Sequence, residues 1–140
     1  MAFEIDPTLD ADTIHLGDFP LCECRLLNNQ TLPWIILVPK VEGLQELYEL
    51  SDEMYQQFST ESLHVARVLK YSFHADKMNI AAIGNVVSQL HIHHVARYQT
   101  DPLWPNVVWG SLAPNPYDDN ALLVFKKQFL PLLQGFMPKK

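Results

Sequence analysis

The chain has 140 residues, 48% of them hydrophobic, and a formal net charge of −6, as is typical of one soluble globular domain. The acidic balance argues against nucleic-acid binding, because phosphate backbones require clustered lysine and arginine. No apolar run approaches the roughly 20 residues that span a bilayer, and the acidic N-terminus lacks the features of a signal peptide. We therefore expect a single domain over residues 1–140, without membrane contact and located in the cytoplasm.

In chain order, the pattern predicts an α+β domain with an antiparallel sheet. Turn formers dominate the segment up to about Asp18, whereas short apolar or β-branched runs between turn residues indicate strands. Four prolines make residues 98–118 irregular, and Pro131 interrupts a last apolar helix. Strands, one long helix, further strands and a last helix are typical of α+β folds. The predicted strands span residues 21–27, 34–38, 77–83 and 86–97, with turns at 28–31 and 84–85, and the last helix spans residues 119–129.

A long amphipathic helix is predicted between the second and third strands. Ser51 is a typical N-cap, and the two acidic residues after it complement the helix dipole. The helix should end near His74. Apolar residues at steps of three, four and seven positions predict one face in the core, namely Met54, Phe58, Val65, Leu69 and Phe73.

The two cysteines, Cys22 and Cys24, lie two positions apart on the first predicted strand. Residues with this spacing share a face of a strand, so two thiolate ligands could converge there. No second cysteine pair exists to complete a tetrahedral metal site. We interpret them as small buried residues that stay reduced in the cytoplasm.

The segment from Gly84 to Arg97 carries the most informative pattern, because a strand here separates polar from apolar side chains. Two histidines two positions apart lie about 6.6 Å from each other along a strand, near enough to address one phosphoryl group. The side-chain amide of Gln89 and the positive charge of Arg97 lie on the same face of the predicted strand as these two histidines. The polar face comprises Gln89, His91, His93 and Arg97, and the other face comprises Leu90, Ile92, His94 and Ala96.

This segment resembles the signature of the histidine triad family, His-φ-His-φ-His-φ-φ, in which φ is apolar. The family's middle histidine, its nucleophile, corresponds to His91, and its third histidine corresponds to His93. Its first histidine is replaced by Gln89. The Gly-Asn step at residues 84–85 matches the Gly-Gln or Gly-Asn step that precedes the triad in the family.

Flanking elements extend the resemblance over about residues 20–110. The upstream strand that ends in Pro39 and the long helix after it are similar to those of the family. A family histidine at the head of that strand is replaced here by Trp34, which is a second departure from the pattern.

The resemblance implies an α+β fold of the histidine triad type and hydrolysis or transfer of nucleotidyl groups from phosphoanhydrides or phosphoramidates, for example dinucleoside polyphosphates. His91 would attack phosphorus and hold the nucleotidyl group covalently. His93 and Gln89 would stabilise charge on the nonbridging oxygens. No cofactor is required, although a divalent cation is compatible with the reaction. The residues expected to contact the nucleotide are Asn85, Arg97, Asn28 and Asn29.

The resemblance also implies a symmetric homodimer. Apolar residues such as Trp104 and Trp109 lie among the prolines of residues 98–118. Apolar side chains on irregular backbone need either a partner surface or the domain's own core. We expect the dimer, with the chain's own sheet as the competing explanation.

Two other functions remain open from the sequence. Glutamine donates a hydrogen bond but cannot carry a proton between groups, so Gln89 is also compatible with a nucleotide-binding protein of little turnover. Alternatively, His91 and His93 hold a metal ion that His94 or a carboxylate completes.

Overall fold

The computed structural model describes residues 2–133 and has the predicted α+β architecture. Its elements are α1 (Pro7–Asp12), β1 (Thr13–Asp18), β2 (Cys22–Leu27), β3 (Trp34–Pro39), a 3₁₀ turn (Leu47–Glu49), α2 (Asp52–Ser72), β4 (Lys77–Ala82), β5 (Ile92–Arg97) and α3 (Asp119–Leu133). The strands form one sheet in the order β1-β2-β3-β5-β4. Every neighbouring pair is antiparallel, as predicted.

The two central strands are buried on both faces, each face within a separate hydrophobic core. On one face, Ile35 of β3 shares a core with Val65 of α2 and with residues of α3. On the other face, Ile36 shares a second core with Leu9 of α1 and with Val108. All residues of β3 and β5 are buried. This two-sided burial explains why the β3 sequence is continuously apolar rather than alternating.

α2 begins and ends close to its predicted positions. The Ser51 hydroxyl accepts a hydrogen bond from the Met54 N–H at 3.2 Å, which confirms the N-cap, and the helix ends at Ser72. The assignment of Met54 to the core is wrong, because its side chain is 38% exposed and the buried face of the helix starts only at Phe58. The other predicted core positions are buried (Phe58, Val65, Leu69) or half-buried (Phe73).

α2 also carries a buried carboxylate that the apolar stripe does not predict. Glu61 accepts the backbone N–H groups of Leu21 and Cys22, both at 2.9 Å, and thereby fastens the start of β2 to the helix. Burial and the nearby Glu61 charge raise the pKa of the Cys22 thiol, and the same two causes raise that of Cys24. Both cysteines are free and buried, as predicted, and such thiols are unreactive.

The prediction of an irregular segment up to Asp18 is wrong, because α1 and β1 lie there. Asp6 caps α1 by accepting the Thr8 N–H at 2.8 Å, and Pro7 occupies the first helical position, where a missing N–H costs nothing. β1 is an edge strand that pairs with β2 and is only partly buried. A six-residue helix and a half-exposed strand are too short to show a clear hydrophobic period.

Residues 98–118 are largely irregular, as predicted, but they pack on the protein's own sheet. Val108 is 1% exposed within the second core, and Leu103 and Trp109 pack against that core. The competing explanation is therefore correct for these side chains. Their apolar character gives no argument for a dimer.

α3 continues through Pro131 to Leu133, so its predicted end at Phe129 is wrong. Phe129 and Leu133 are both fully buried. Proline removes one backbone donor, and the burial of both side chains offsets that cost. Within residues 2–133, no helix combines the length and the hydropathy that crossing a membrane requires.

His94 lies on the apolar face of β5, as predicted, and connects the sheet to α2. Its Nε2 accepts the Ser62 hydroxyl at 2.7 Å, and its Nδ1 lies 3.1 Å from the Ile92 carbonyl oxygen. Because a carbonyl only accepts, the single proton is on Nδ1. Burial lowers the pKa of His94 to about 4, so this histidine is neutral at pH 7.

Acid should destabilise the protein between the pKa of an unfolded histidine, about 6.5, and the folded value of about 4 for His94. In that range the unfolded chain binds a proton that the folded chain excludes, so the free energy of unfolding falls as the pH falls. We expect His94 to contribute about 2–3 kcal/mol of the loss between pH 7.5 and pH 4.5. Urea unfolding of the wild type and His94→Asn at both pH values measures this contribution. His74→Asn, at an exposed position, is the control, and an unchanged pH dependence in His94→Asn would contradict the prediction.

Candidate active site

The histidine segment is only partly a strand, which corrects the predicted strand over residues 86–97. β5 begins at Ile92, and residues 83–91 form a loop whose second residue, Gly84, has φ +66°. The predicted Gly-Asn turn is therefore present, since glycine adopts this left-handed conformation without strain. Alternation along a strand holds from His93 onward but does not extend to Gln89 or His91.

His91 is held in one tautomer by the loop backbone. Its Nδ1 lies 2.7 Å from the carbonyl oxygen of Gln89. The carbonyl only accepts, so Nδ1 carries the proton and the lone pair is on Nε2. The ring is 8% exposed and borders two cavities. This is the arrangement that an imidazole nucleophile requires.

His93 is held in the opposite tautomer by Trp34. The Trp34 indole N–H donates to Nδ1 of His93 at 2.9 Å. Because an indole only donates, the proton of neutral His93 is on Nε2. Burial, together with the nearby charges of His91 and His94, lowers the pKa of His93 to about 4. At pH 7 this histidine is therefore a neutral hydrogen-bond donor.

The two rings lie next to each other inside an aromatic enclosure. The centroids of His91 and His93 are 5.1 Å apart with a T-shaped orientation. Trp109 packs edge-on against both Trp34 and His93, with centroid distances of 5.8 and 5.6 Å. The structure thus places His91, with its lone pair on Nε2, next to His93, with its proton on Nε2.

A cavity of about 260 Å³ opens onto both histidines. Residues of α1 and the start of β1 form one part of its wall, and residues of the loop after β4 form another. A smaller cavity of about 120 Å³ lies on the other side of His91 and is bordered by Glu46 and Ser88. The larger cavity is lined by apolar side chains (Leu9, Leu27, Ile36, Ile83, Val86, Val87, Trp109), by the polar residues Thr8, Asp12, Thr13 and Asn85, by Gly84, and by the two histidines.

Of the predicted site residues, His91, His93 and Asn85 border this cavity, whereas the others bind elsewhere. Gln89 binds the backbone of residues 4–6 through its side-chain amide. Asn28 accepts the backbone N–H of Tyr117, and Asn29 donates to the carbonyl of Ala113. Both asparagines therefore fasten residues 113–117 to the turn after β2.

Arg97 is 1% exposed and serves the sheet rather than the cavity. It forms two hydrogen bonds with Asp101, at 2.9 and 3.1 Å, and one with Asn79 at 2.9 Å, and it stacks over Trp104. Burial tends to raise the pKa of Asp101, but hydrogen bonds from Arg97 and from two backbone N–H groups outweigh it and hold the pKa at about 2.

The sequence does not predict the aromatic enclosure residues Trp34 and Trp109, nor the polar cavity residues Thr8, Asp12 and Thr13. Trp34 occupies the position at which the histidine triad pattern has a histidine. Its indole N–H is a donor that usually finds a partner when buried, which is the signal that could have suggested a hydrogen bond to a histidine ring nitrogen. Thr8 and Asp12 were missed because the sequence predicted turns, and not the helix α1, in the N-terminal segment.

In the alternative metal site, which pairs His91 and His93 with His94 or a carboxylate, His94 is not a possible third ligand. His94 points to the face of the sheet opposite His93 and binds Ser62. Across the described residues, the group that could hold a metal ion through three ligands is His15, Asp18 and Glu23, at the exposed edge of β1 and β2. Glu23 is already paired with Arg25 there, at 2.8 Å.

Comparison with known proteins assigns the family. The HIT domain model matches residues 8–100. A histidine triad protein from Marinobacter aquaeolei VT8 is 44% identical, with a TM-score of 0.95 over 97% of this chain and 99% of that one. A histidine triad (HIT) protein from Sinorhizobium meliloti 1021 is 37% identical, with a TM-score of 0.90 over 94% of this chain and 97% of that one. A histidine triad protein from Bradyrhizobium japonicum is 35% identical, with a TM-score of 0.90 over 97% and 99%.

No curated protein matches the chain. The solved relatives cover up to 97% of it, so the likeness extends beyond residue 110, where the sequence resemblance was expected to stop. The family match spans more than half of the chain and includes both histidines of the site. This protein belongs to the histidine triad (HIT) family.

Proposed function

We propose that this protein hydrolyses or transfers nucleotidyl groups through a covalent intermediate on His91. The observation that carries the proposal is the pair of opposite tautomers: Nε2 of His91 offers a lone pair, and Nε2 of the adjacent His93 offers an N–H. A phosphoryl group in front of this pair meets a nucleophile and a donor together. The adjoining, largely apolar cavity suits a nucleoside.

In the proposed reaction, Nε2 of His91 attacks phosphorus, a P–N bond forms and the bond to the leaving group breaks. The imidazole then bears a positive charge, which the Gln89 carbonyl stabilises through its hydrogen bond to Nδ1. His93 donates its Nε2–H to a nonbridging oxygen. In the second step water attacks phosphorus, the P–N bond breaks and its electron pair returns to Nε2 of His91. The water proton passes to solvent, and the nucleoside monophosphate is released.

The leaving group must depart without a proton from the histidine pair. His93 is neutral at pH 7, since burial lowers its pKa to about 4, and the Gln89 amide binds elsewhere. We therefore infer that the preferred substrates are nucleoside phosphoanhydrides, whose leaving groups are stable as anions. A nucleotide-binding protein of little turnover is the second candidate, favoured by the same shortage of a proton donor.

His91→Ala should retain the fold and nucleotide binding but lose turnover by several orders of magnitude, because the bond-forming atom is removed. His93→Ala should lose less, about 10²–10³-fold, as is usual for one oxyanion donor. Turnover is measured on dinucleoside polyphosphates and nucleoside phosphoramidates, with and without a chelator, and acid-quench mass spectrometry locates the adduct on a peptide that contains His91. Near-normal turnover of His91→Ala on every accepted substrate would show that the mechanism is wrong.

Trp34→Phe should lower kcat by about tenfold, because it removes the indole donor and leaves Nδ1 of His93 unpaired. The readout specific to the tautomer is ¹⁵N NMR, in which the His93 Nδ1 and Nε2 shifts should move toward a mixture of both forms. Trp104→Phe is the matched control, since Trp104 stacks over Arg97. A His93 spectrum that is identical in the wild type and Trp34→Phe would refute the tautomer assignment.

We also propose the homodimer, on a surface other than residues 98–118. β4 is an edge strand, whose unpaired backbone groups favour pairing with a second strand. Beside it, Tyr55 and Leu63 of α2 are 49% exposed and Ile80 of β4 is 48% exposed. These three side chains border a cavity of about 340 Å³ between α2 and β4. Two copies related by a two-fold axis would cover this apolar strip.

Ile80→Asp should dissociate the dimer, because it places a charge in the centre of that strip. Light scattering at micromolar concentration should give the mass of two chains for the wild type and one chain for the variant. Leu123→Asp is the control, since Leu123 is 52% exposed on α3. A monomer mass for the wild type would count against the dimer.

A further inference from the structure

Gln89 joins two parts of the molecule that are 83 to 85 positions apart in the chain. Its Oε1 accepts the N–H of Asp6 and its Nε2 donates to the carbonyl of Glu4, both at 2.8 Å. A primary amide that binds the backbone of residues two apart imitates the bridge that a neighbouring strand would make. The two nitrogens of an imidazole point in diverging directions, so a histidine at this position could not make both bonds.

The segment that Gln89 holds leads directly into one wall of the larger cavity. Asp6 caps α1, and Thr8 and Asp12 of α1 border the cavity. Leu9 anchors the helix in the second core, with 5% exposure. The far end of α1 is fixed where the carbonyl of Asp12 accepts the backbone N–H of Asn28 at 3.0 Å. Gln89 therefore holds the segment before α1, whereas the Asn28–Asp12 hydrogen bond holds only the C-terminal end of the helix.

The backbone of the same residue holds the proposed nucleophile. The Gln89 carbonyl accepts from Nδ1 of His91 at 2.7 Å, so one residue connects the cavity wall to the reacting atom. The polar groups of the wall are the Thr8 hydroxyl and the Asp12 carboxylate, since the Thr13 hydroxyl already donates to the carbonyl of Leu9, and no lysine or arginine among the described residues borders the cavity. Such a wall suits the neutral, hydroxyl-bearing part of a ligand rather than its phosphates.

We propose that Gln89 is a positioning residue that holds residues 4–12 in place as a wall of the nucleotide cavity. The side chain acts on ligand affinity through this wall and does not touch the reacting phosphoryl group. The inference rests on the proposed function only in taking this cavity as the nucleotide site. It predicts that losing the amide weakens binding and leaves the chemical step largely intact.

The test compares Gln89→Leu, which loses both hydrogen bonds, with Gln89→Glu, which keeps the acceptor for Asp6 but replaces the donor to Glu4. Gln128→Leu is the matched control, because Gln128 also donates to a backbone carbonyl, that of Ser72 at 2.8 Å, on the helical side of the sheet. Hydrogen exchange of the peptide that covers residues 2–12 reports the wall. Calorimetry with AMP and GMP reports affinity, and KM and kcat separate binding from chemistry.

We expect exchange over residues 4–12 to accelerate by about tenfold or more in Gln89→Leu, with a smaller effect in Gln89→Glu and none in Gln128→Leu. The Kd of the better-bound nucleotide and KM should rise by about tenfold, while kcat changes by less than about threefold. Unchanged exchange, or faster exchange with unchanged affinity, would overturn the inference, as would a fall in kcat alone. If the wild type binds neither nucleotide, the proposed function fails, whereas hydrogen exchange still decides whether Gln89 holds the segment.

Discussion

The pairing of β3 with β5 at the centre of the sheet determines the rest of this structure. Because both strands are buried on both faces, each histidine of β5 enters a hydrophobic core: His94 enters the one under α2, and His93 enters the one under α1 and residues 98–118. Neither ring can keep a charge there without a large desolvation cost. Each one is instead fixed as a neutral tautomer by its hydrogen bonds: the Ile92 carbonyl holds the proton of His94 on Nδ1, and the Trp34 indole leaves the proton of His93 on Nε2. Packing of the sheet thus sets the chemistry of the site.

The sequence predicts the sheet, the long helix and the pair His91 and His93, because hydrophobic alternation and the glycine turn are local signals. It does not predict that β5 starts only at Ile92. The predicted alternation of faces along a strand therefore put Gln89 on the same face as the histidines, whereas in the loop its side-chain amide binds the N-terminal segment. Arg97 lies within β5, so the predicted alternation applies to it. The sequence does not reveal that Asp101, four positions later, neutralises its charge. Local periodicity gives the face of a side chain and not its partner.

Apart from Asp101, the partners that sequence reasoning missed are distant along the chain. Trp34 and His93 are 59 positions apart, and Gln89 and Glu4 are 85 positions apart. Asn28 and Asn29 were expected to contact the nucleotide, yet they bind the backbone of residues 113–117, which lie more than 80 positions later in the chain. Such contacts arise only when the chain closes on itself. A family resemblance supplies some of them, but not where this chain departs from the family pattern.

The two departures, Gln89 and Trp34, have one physical consequence in common. Each replaces a titratable imidazole by a group whose N–H is a donor at every pH the protein meets. Trp34 uses its donor to keep Nδ1 of His93 as an acceptor, so the His93 proton stays on Nε2. The side-chain amide of Gln89 binds the backbone of Glu4 and Asp6, so only the backbone carbonyl of Gln89 contacts His91. Both donors are therefore occupied within the protein, and neither passes a proton to a leaving group. In the proposed reaction, a site built in this way would favour substrates whose leaving groups depart without a proton.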